Sequence, residues 1–317
     1  MIRTLALLIL SLCALPALAQ YPSRPVHIVV TIPPGGAPDI AARIIGQKLA
    51  ESFGQPVVIE NRPGANGNTA AGEVARAAPD GYTLILAADS LIAINPHLYS
   101  RMPLDTLKDL TPVASLVSNQ FVLSVNPALP VKTFPEFIEY ARKANPPLNY
   151  ASGGNGSQHQ LTMEMLKSRA GIELVHVPYR GGAPATLATV AGEVAAMFAG
   201  TSTAPQIRAG RLRALAVAGA KRSFAFPDLP TIGEFYPGFE NSIWLGLFGP
   251  AAMPDEVLAK LRSEINQILR NPEVREKLGA AGSLEPLVTT PEEFAALIRR
   301  DHEKYGKLIR AVGVKAD

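Results

Sequence analysis

The sequence predicts a two-lobed α/β protein, and three observations carry that expectation. Short β-branched runs alternate with helical patterns in two separate series, one before and one after residues 120–126. Gly- and Pro-rich loops join several strands to the helix that follows. The chain has 317 residues, 47% of them hydrophobic and 18% charged, which is too long for one ordinary core and too apolar for disorder. A net charge of +3 leaves no electrostatic footprint for nucleic acid. The 28 Pro and 26 Gly, with so little charge, also exclude a coiled coil or a charge-laced helical repeat.

Residues 1–19 read as an export signal: Arg3, an apolar run over 5–15, then the small-x-small triplet Ala17-Leu18-Ala19. Cleavage is expected after Ala19, giving an exported protein. The apolar run is too short to span a membrane stably. Cys13, the single cysteine, falls inside this segment, and Leu12 stands where a lipoprotein signal needs a small residue. The mature chain is then cysteine-free, which excludes a disulfide framework, thiol catalysis and thiolate metal sites.

After Tyr21-Pro22-Ser23-Arg24-Pro25, residues 26–32 form a strand-length β-branched run. The loop Pro33-Pro34-Gly35-Gly36-Ala37-Pro38 follows, then a helix from Asp39 to about Phe53 with Ile40, Ile44, Ile45 and Leu49 as its apolar face. Residues 56–60 read as a strand, 67–78 as a small-residue helix and 82–87 as a strand after the Asp80-Gly81 turn. Residues 113–117 and 121–125 read as two strands separated by Ser118-Asn119-Gln120. The second series runs helix 134–144, strand 148–151, helix 159–170, strand 173–177, helix 184–191, then strands 194–198, 212–218 and 242–248. Helices at 255–269, 273–280 and 292–312 close the chain. A return crossing at 242–248 would put them back on the first lobe, giving lobe 1 from 20–122 plus 242–317 and lobe 2 from 123–241, with a ligand cleft between.

Gly35-Gly36-Ala37-Pro38 recurs as Gly181-Gly182-Ala183-Pro184, each copy following a strand and opening a helix. Pro suits the first helical position, so Ala37 and Ala183 become the N-caps, and Ala cannot cap. The free N–H groups and the helix dipole would then favour an external anion. The plainer alternative is that the glycines only make tight turns. A third loop, Ser152 to Gln160, lies between strand and helix, with Ser157 and Gln160 spaced as a capping box. It has neither a Walker lysine nor a dinucleotide fingerprint. In Gly64-Ala65-Asn66-Gly67-Asn68, Asn68 reads as a helix cap.

No HExxH or comparable ligand spacing occurs among the five histidines, so no metal or cofactor is expected. His27 and His176 read as satisfied structural residues, and His159 as the one facing a ligand. Asp39, the second helical residue on this reading, organises its loop or, more sharply, contacts a ligand. Trp244 and Tyr179 flank the expected cleft, although a lone aromatic usually belongs to the core. A Ser157–His159 pair can be assembled on paper into a hydrolase or transferase, but no GxSxG elbow surrounds any serine.

The order of these motifs resembles the Bug-type solute-binding receptors of tripartite tricarboxylate transporters. The matching stretches are Tyr21-Pro22-Ser23-Arg24-Pro25, Pro33-Pro34-Gly35-Gly36 with Asp39, Glu60-Asn61-Arg62-Pro63-Gly64-Ala65, Pro79-Asp80-Gly81-Tyr82-Thr83-Leu84 and Asn149-Tyr150-Ala151-Ser152-Gly153. His176-Val177-Pro178-Tyr179-Arg180-Gly181-Gly182-Ala183-Pro184, Gly210-Arg211-Leu212-Arg213-Ala214-Leu215-Ala216-Val217 and Pro291-Glu292-Glu293-Phe294 complete them. The resemblance implies an α/β, type II periplasmic binding (Venus flytrap) fold with two hinge-crossing strands. It further implies a monomer without catalysis that passes a small carboxylate to membrane permease subunits. Carried over by position, the ligand-binding residues are Gly35, Gly36, Ala37, Asp39, Ser90, Ser152, Gly153, Ser157, His159, Tyr179, Gly181, Gly182, Ala199, Gly200 and Thr201, partly acting through water. Two departures stand out. Position 37, often a hydroxyl residue in the family, is Ala37. Met197-Phe198 is followed by Ala199-Gly200 where many members carry Asp, which points away from an amino acid and towards a plain organic or aromatic acid. A sensor feeding a membrane kinase is the remaining alternative.

Overall fold

In the computed structural model, which describes residues 21–179, 181–200, 203–282 and 284–315, the first series is β1 (Val26–Val30), α1 (Ala37–Phe53), β2 (Val57–Asn61), α2 (Asn68–Ala75) and β3 (Thr83–Ala88). The signal peptide, with Cys13 and its cleavage point, lies outside the described residues, as do Arg180 and Thr201. β1 runs parallel to both β2 and β3, with Ile28 opposite Ile59 on one side and Leu84 on the other. Val26, Ile28 and Val30 pack with Ile45 and Leu49 of α1, while Val29 joins Ile85 and Trp244 on the opposite face. A strand covered on both faces reads as a continuous apolar run, which is why 26–32 stood out.

A π-helical turn over Ser90–Ile94 and the short helix α3 (Asn95–Leu98) follow β3. Next comes β4 (Leu110–Val125), one strand of 16 residues where the sequence suggested two. Ser118, Asn119 and Gln120 look like a polar loop, but their backbones stay in the ladder opposite Trp244, Ile243 and Ser242 of β9 (Ser242–Pro250). Register shifts between Pro112 and Ala114 and between Ser115 and Val117 absorb the irregular pattern.

β4 changes partners at its middle. Through Gln120 it pairs with β9. From Phe121 onward it pairs with β7 (Ala196–Gly200) and β8 (Arg213–Val217). The second series contains α4 (Phe134–Lys143), β5 (Leu148–Ser152), α5 (Gln158–Ala170), β6 (Leu174–Pro178), α6 (Gly182–Ala191) and α7 (Ala204–Arg208). β5 is parallel to β6 and β7. Phe121, Leu123, Phe134, Phe137, Tyr150, Leu166 and Phe198 form its core.

The chain returns through β9, which lies between β3 and β4, into α8 (Asp255–Arg270), α9 (Pro272–Gly282), β10 (Glu285–Pro286) and α10 (Pro291–Val312). Leu261 and Ile265 of α8 join the cluster of β1 and α1, and Phe294 and Ile298 of α10 join that of Trp244. Two α/β lobes are thus threaded by two crossings.

The lobes meet at a seam beside the crossings. Ala93, Ile94 and Leu98 pack with Leu161 of α5 and with Tyr305 and Ile309 of α10. Next to this apolar cluster, Gln158 donates to Asp89 and, at 3.4 Å, to the Tyr305 hydroxyl. Tyr305 donates to Asn241 at 2.7 Å, and Asn241 donates to Thr162. Burial, reinforced by the charge of Asp301, pushes the Asp89 carboxyl well above the usual carboxylate range.

Candidate functional site

In open α/β sheets, ligands bind beyond the carboxyl ends of the parallel strands. In the first lobe, β1 ends in the loop carrying Gly35 and Gly36, and β3 ends at Asp89 and Ser90. In the second, β5, β6 and β7 end at Ser152, Pro178 and Gly200. The loops singled out by sequence therefore stand on the carboxyl edges of the two parallel sets.

Both repeated loops open helices without a side-chain cap, but the caps are glycines rather than Ala37 and Ala183. Gly36, in an extended conformation, caps α1, so that Ala37, Pro38 and Asp39 are its first three residues. Gly181 (φ 111°) caps α6, placing Pro184 third. Proline is tolerated at any of these positions because the first N–H groups of a helix have no internal acceptor. At α6, Ala185 N–H reaches Gly181 O at 3.4 Å and Pro184 has no N–H, which leaves the Gly182 and Ala183 donors at the helix start.

Asp39 is buried and committed to its own loop. Its carboxylate accepts from Gly35 N–H at 2.9 Å, Asn61 Nδ2 at 2.8 Å and Arg43 Nε at 3.1 Å. The Arg43 bond, ahead of opposing burial, holds its pKa down at about 2. The carboxylate thus contributes stability fully above about pH 4 that is lost as pH falls through about 2, on the order of 2 kcal/mol in all. Asp39→Asn should lower the melting temperature at pH 7 and lose most of that difference at pH 2, read by calorimetric melts at both values.

Ser90 N–H donates to Asp89 at 2.9 Å, and the Ser90 carbonyl accepts from Asn95 N–H at the end of the π-helical turn. Asn68 does not cap α2, whose N-cap is Gly67. It accepts instead from Asn95 Nδ2 at 2.6 Å.

In the second lobe, Ser152 is fully buried and bonds His176 Nε2 at 2.6 Å, while Gln160 Nε2 reaches His176 Nδ1 at 3.2 Å. Ser157 caps α5, accepting from Gln160 N–H at 3.4 Å and donating to Gly154 O at 2.7 Å. The expected capping box does not close, because Gln160 Oε1 turns to Gly156 N–H at 2.7 Å. With its hydroxyl spent on the loop, Ser157 forms no nucleophile–base pair with His159. The Tyr179 hydroxyl donates to Glu193 at 3.4 Å, while its backbone N–H donates to Ser152 O and its carbonyl accepts from Gly181 N–H, each at 3.0 Å, so Tyr179 ties the two loops together.

His159 sits edge-on to Phe121, ring centroids 5.2 Å apart. A Cβ on Gly153 would come within 3.1 Å of its Nδ1, and one on Gly182 within 3.2 Å of its Nε2. The ring is wedged between two backbone segments that only glycine lets so close. Burial lowers its pKa to about 4, leaving it neutral at physiological pH. Its Nδ1 is closed off from water without a partner. A cavity of about 390 Å³ beside the α6 start is lined by His159, Gly182, Ala183, Ala199, Gly200 and Gln206, among others. Grooves of about 480 and 610 Å³ elsewhere are lined by residues such as Phe226 and Tyr140 and by none of the sequence-predicted site residues.

The structure thus gathers His159, Gly182, Ala199 and Gly200, packs Gly153 against Gly181 and Gly182, and leaves Gly35, Gly36, Ala37 and Ser90 on the opposite lobe. Sequence reasoning missed Gln206 and Met197 on the cavity wall. The run Thr203-Ala204-Pro205, a helix-start pattern, was the available signal for the first.

Two α/β lobes joined by crossing strands, with Gly-rich loops on the carboxyl edges of both parallel sets, define a solute-binding receptor. The chain belongs to the tripartite tricarboxylate transporter receptor family, whose model matches residues 41–314, and this is a family of receptors rather than enzymes. It is 38% identical over 295 residues to the UPF0065 protein in the tcbD-tcbE intergenic region of Pseudomonas sp. (strain P51), covering 92% of this chain and 87% of that one. It is 34% identical to protein BugT of Bordetella pertussis, covering 93% and 91%. Among solved structures it is similar to R. palustris Rpa4515 with adipate (TM-score 0.82, 33% identity, 93% and 99% covered). MatC of Rhodopseudomonas palustris with malate (0.75, 33%, 91% and 100%) and the periplasmic binding protein BugD (0.77, 32%, 93% and 99%) are also similar.

Proposed function

We propose that the protein is exported to the periplasm, closes its lobes over one small carboxylate and delivers it to the permease subunits of a tripartite tricarboxylate transporter. The lobes of this reading are 20–122 with 242–317, and 123–241. The observation that carries it is the pair of uncapped helix starts, at Gly36 and Gly181, on carboxyl edges of parallel strands. Uncharged N–H groups there suit an anion without a counter-cation, and the adipate and malate bound to two similar receptors fit that chemistry. The candidate contacts are Gly35, Gly36, Ala37 and Ser90 on one side. On the other they are Gly153, His159, Gly181, Gly182, Ala199, Gly200 and Thr201, with Asp39, Ser152, Ser157 and Tyr179 shaping the loops. Closure is a hinge motion about the crossings, stabilised by a ligand that bridges both lobes.

Calorimetry of the mature protein against mono-, di- and tricarboxylates, aromatic acids, amino acids and neutral sugars tests this. The expected result is saturable binding of one class of carboxylate with a matching rise in melting temperature. Binding of sugars alone, or of cations, would sink the reading.

A further inference from the structure

We propose that His176 is a positioning residue for ligand capture: through Gln160 and Ser152 its neutral ring holds the 153–156 turn in its binding shape, and protonation releases that turn. The functional consequence rests on the carboxylate-receptor reading; the relay itself rests on hydrogen-bond polarity.

That polarity is fixed from one end. Gly156 N–H can only donate, so the Gln160 atom 2.7 Å away is the acceptor Oε1. The amide Nε2, also only a donor, then faces His176 Nδ1 at 3.2 Å, which must be the bare nitrogen. The ring proton therefore sits on Nε2 and is given to Ser152 Oγ at 2.6 Å. Ser152 in turn donates to Gly154 O at 3.0 Å and accepts from Gly154 N–H at 3.1 Å. One ring thus secures both ends of the turn.

A second proton on His176 has no acceptor. Placed on Nδ1, it points at the Gln160 NH₂ group; flipping that amide aims the NH₂ at Gly156 N–H instead. Either conflict falls on a turn whose Gly154 (φ 119°) and Gly156 (φ 72°) have no side chains to hold them. The disturbance reaches the site, because Gly153 packs on the Gly181 and Gly182 backbone and Gly156 on Leu98 of the first lobe. The groups facing the ring are Tyr150 of β5, stacked at 5.0 Å, Ser152 at the end of that strand, and Gln160, Glu164 and Lys167 of α5. Burial lowers the His176 pKa below its ordinary 6.5; Glu164 opposes this and Lys167 adds to it. The relay is therefore intact at neutral pH and opens only as pH falls below the ordinary imidazole range.

Hydrogen exchange of the peptide containing 153–156, corrected for intrinsic rates between pH 4.5 and 7.5, tests the relay without any ligand. Calorimetry with adipate as probe tests its consequence. In the mature wild-type protein, protection of this peptide should fall at least tenfold on acidification and recover on neutralisation. Adipate affinity should fall with it. His176→Gln keeps a donor to Ser152 but does not titrate, so its protection should stay flat. Gln160→Glu supplies an acceptor to a protonated ring, and should keep the turn protected in acid. A flat wild-type profile, or the same acid loss in wild type and both variants, overturns the relay. Wild-type exchange that falls while adipate affinity does not overturns the role in capture. If adipate binds at no pH and no other carboxylate binds in the panel above, the receptor reading fails, while the exchange result still decides the relay.

Discussion

Ala183→Asp should weaken carboxylate capture on the order of 100-fold while leaving the protein folded. Ala183 is the second residue of α6 and lines the cavity. Its Cβ is already accommodated, so the new side chain needs no backbone adjustment. A carboxylate in the first turn is favoured by the helix dipole, by about 0.3–1 kcal/mol, so melting temperature should hold or rise slightly. For the ligand the same charge is a repulsion at roughly 5 Å, worth about 3 kcal/mol at an effective dielectric of ~20. That corresponds to an affinity loss on the order of 100-fold. The isosteric Ala183→Asn should lose much less. Calorimetry of both variants decides the matter: equal losses would mean that bulk, not charge, is responsible and that the anion does not sit at this helix start.

The largest loss of stability is expected from Trp244→Ala. Trp244 is 1% exposed, lies across from Ser118 where β4 nears its change of partners, and packs at 5.4 Å from Phe294 and 6.4 Å from Phe248. Its Nε1 donates to Asp301 at 2.8 Å. Truncation removes a large buried side chain, costing about 3–5 kcal/mol, and also deprives a buried carboxylate of a donor, at about 1–3 kcal/mol. Urea unfolding should show a loss of unfolding free energy of that size, with the midpoint falling accordingly at unchanged slope. Trp244→Phe should recover the packing part but not the hydrogen bond. If Trp244→Ala costs less than about 1 kcal/mol, the crossing is not anchored through α10 as described.

The elements most legible in the sequence were those whose signals are local. The β-branched run at 26–32, the turn at Asp80-Gly81 and the amphipathic helices near the C-terminus needed no tertiary context. α8 and α10 fall within two residues of their expected bounds, because their apolar faces repeat with helical spacing. The errors came where a long-range partner overrode the local pattern. Ser118-Asn119-Gln120 reads as a break, yet β9 pairs with those backbones and makes one strand of two. The caps of α1 and α6 moved from alanine to glycine because Pro at the second or third helical position is as acceptable as at the first. Spacing alone cannot distinguish these.

Residue order alone is enough for the alternation of strands and helices, the repeated uncapped helix starts, the absence of cysteine beyond position 13 and, through the order of the motifs, the receptor family. These follow from side-chain period and backbone chemistry within a few residues. What each polar group is spent on depends instead on how the chain packs: Asp39 on its own loop, Ser157 on a helix cap, Tyr179 on Glu193, and His176 on hydrogen bonds to Ser152 and Gln160. The reason is physical. A hydrogen bond is set by donor and acceptor meeting within about 3 Å, and which groups meet across α5, β5 and β6 is fixed by packing, not by their distance along the chain.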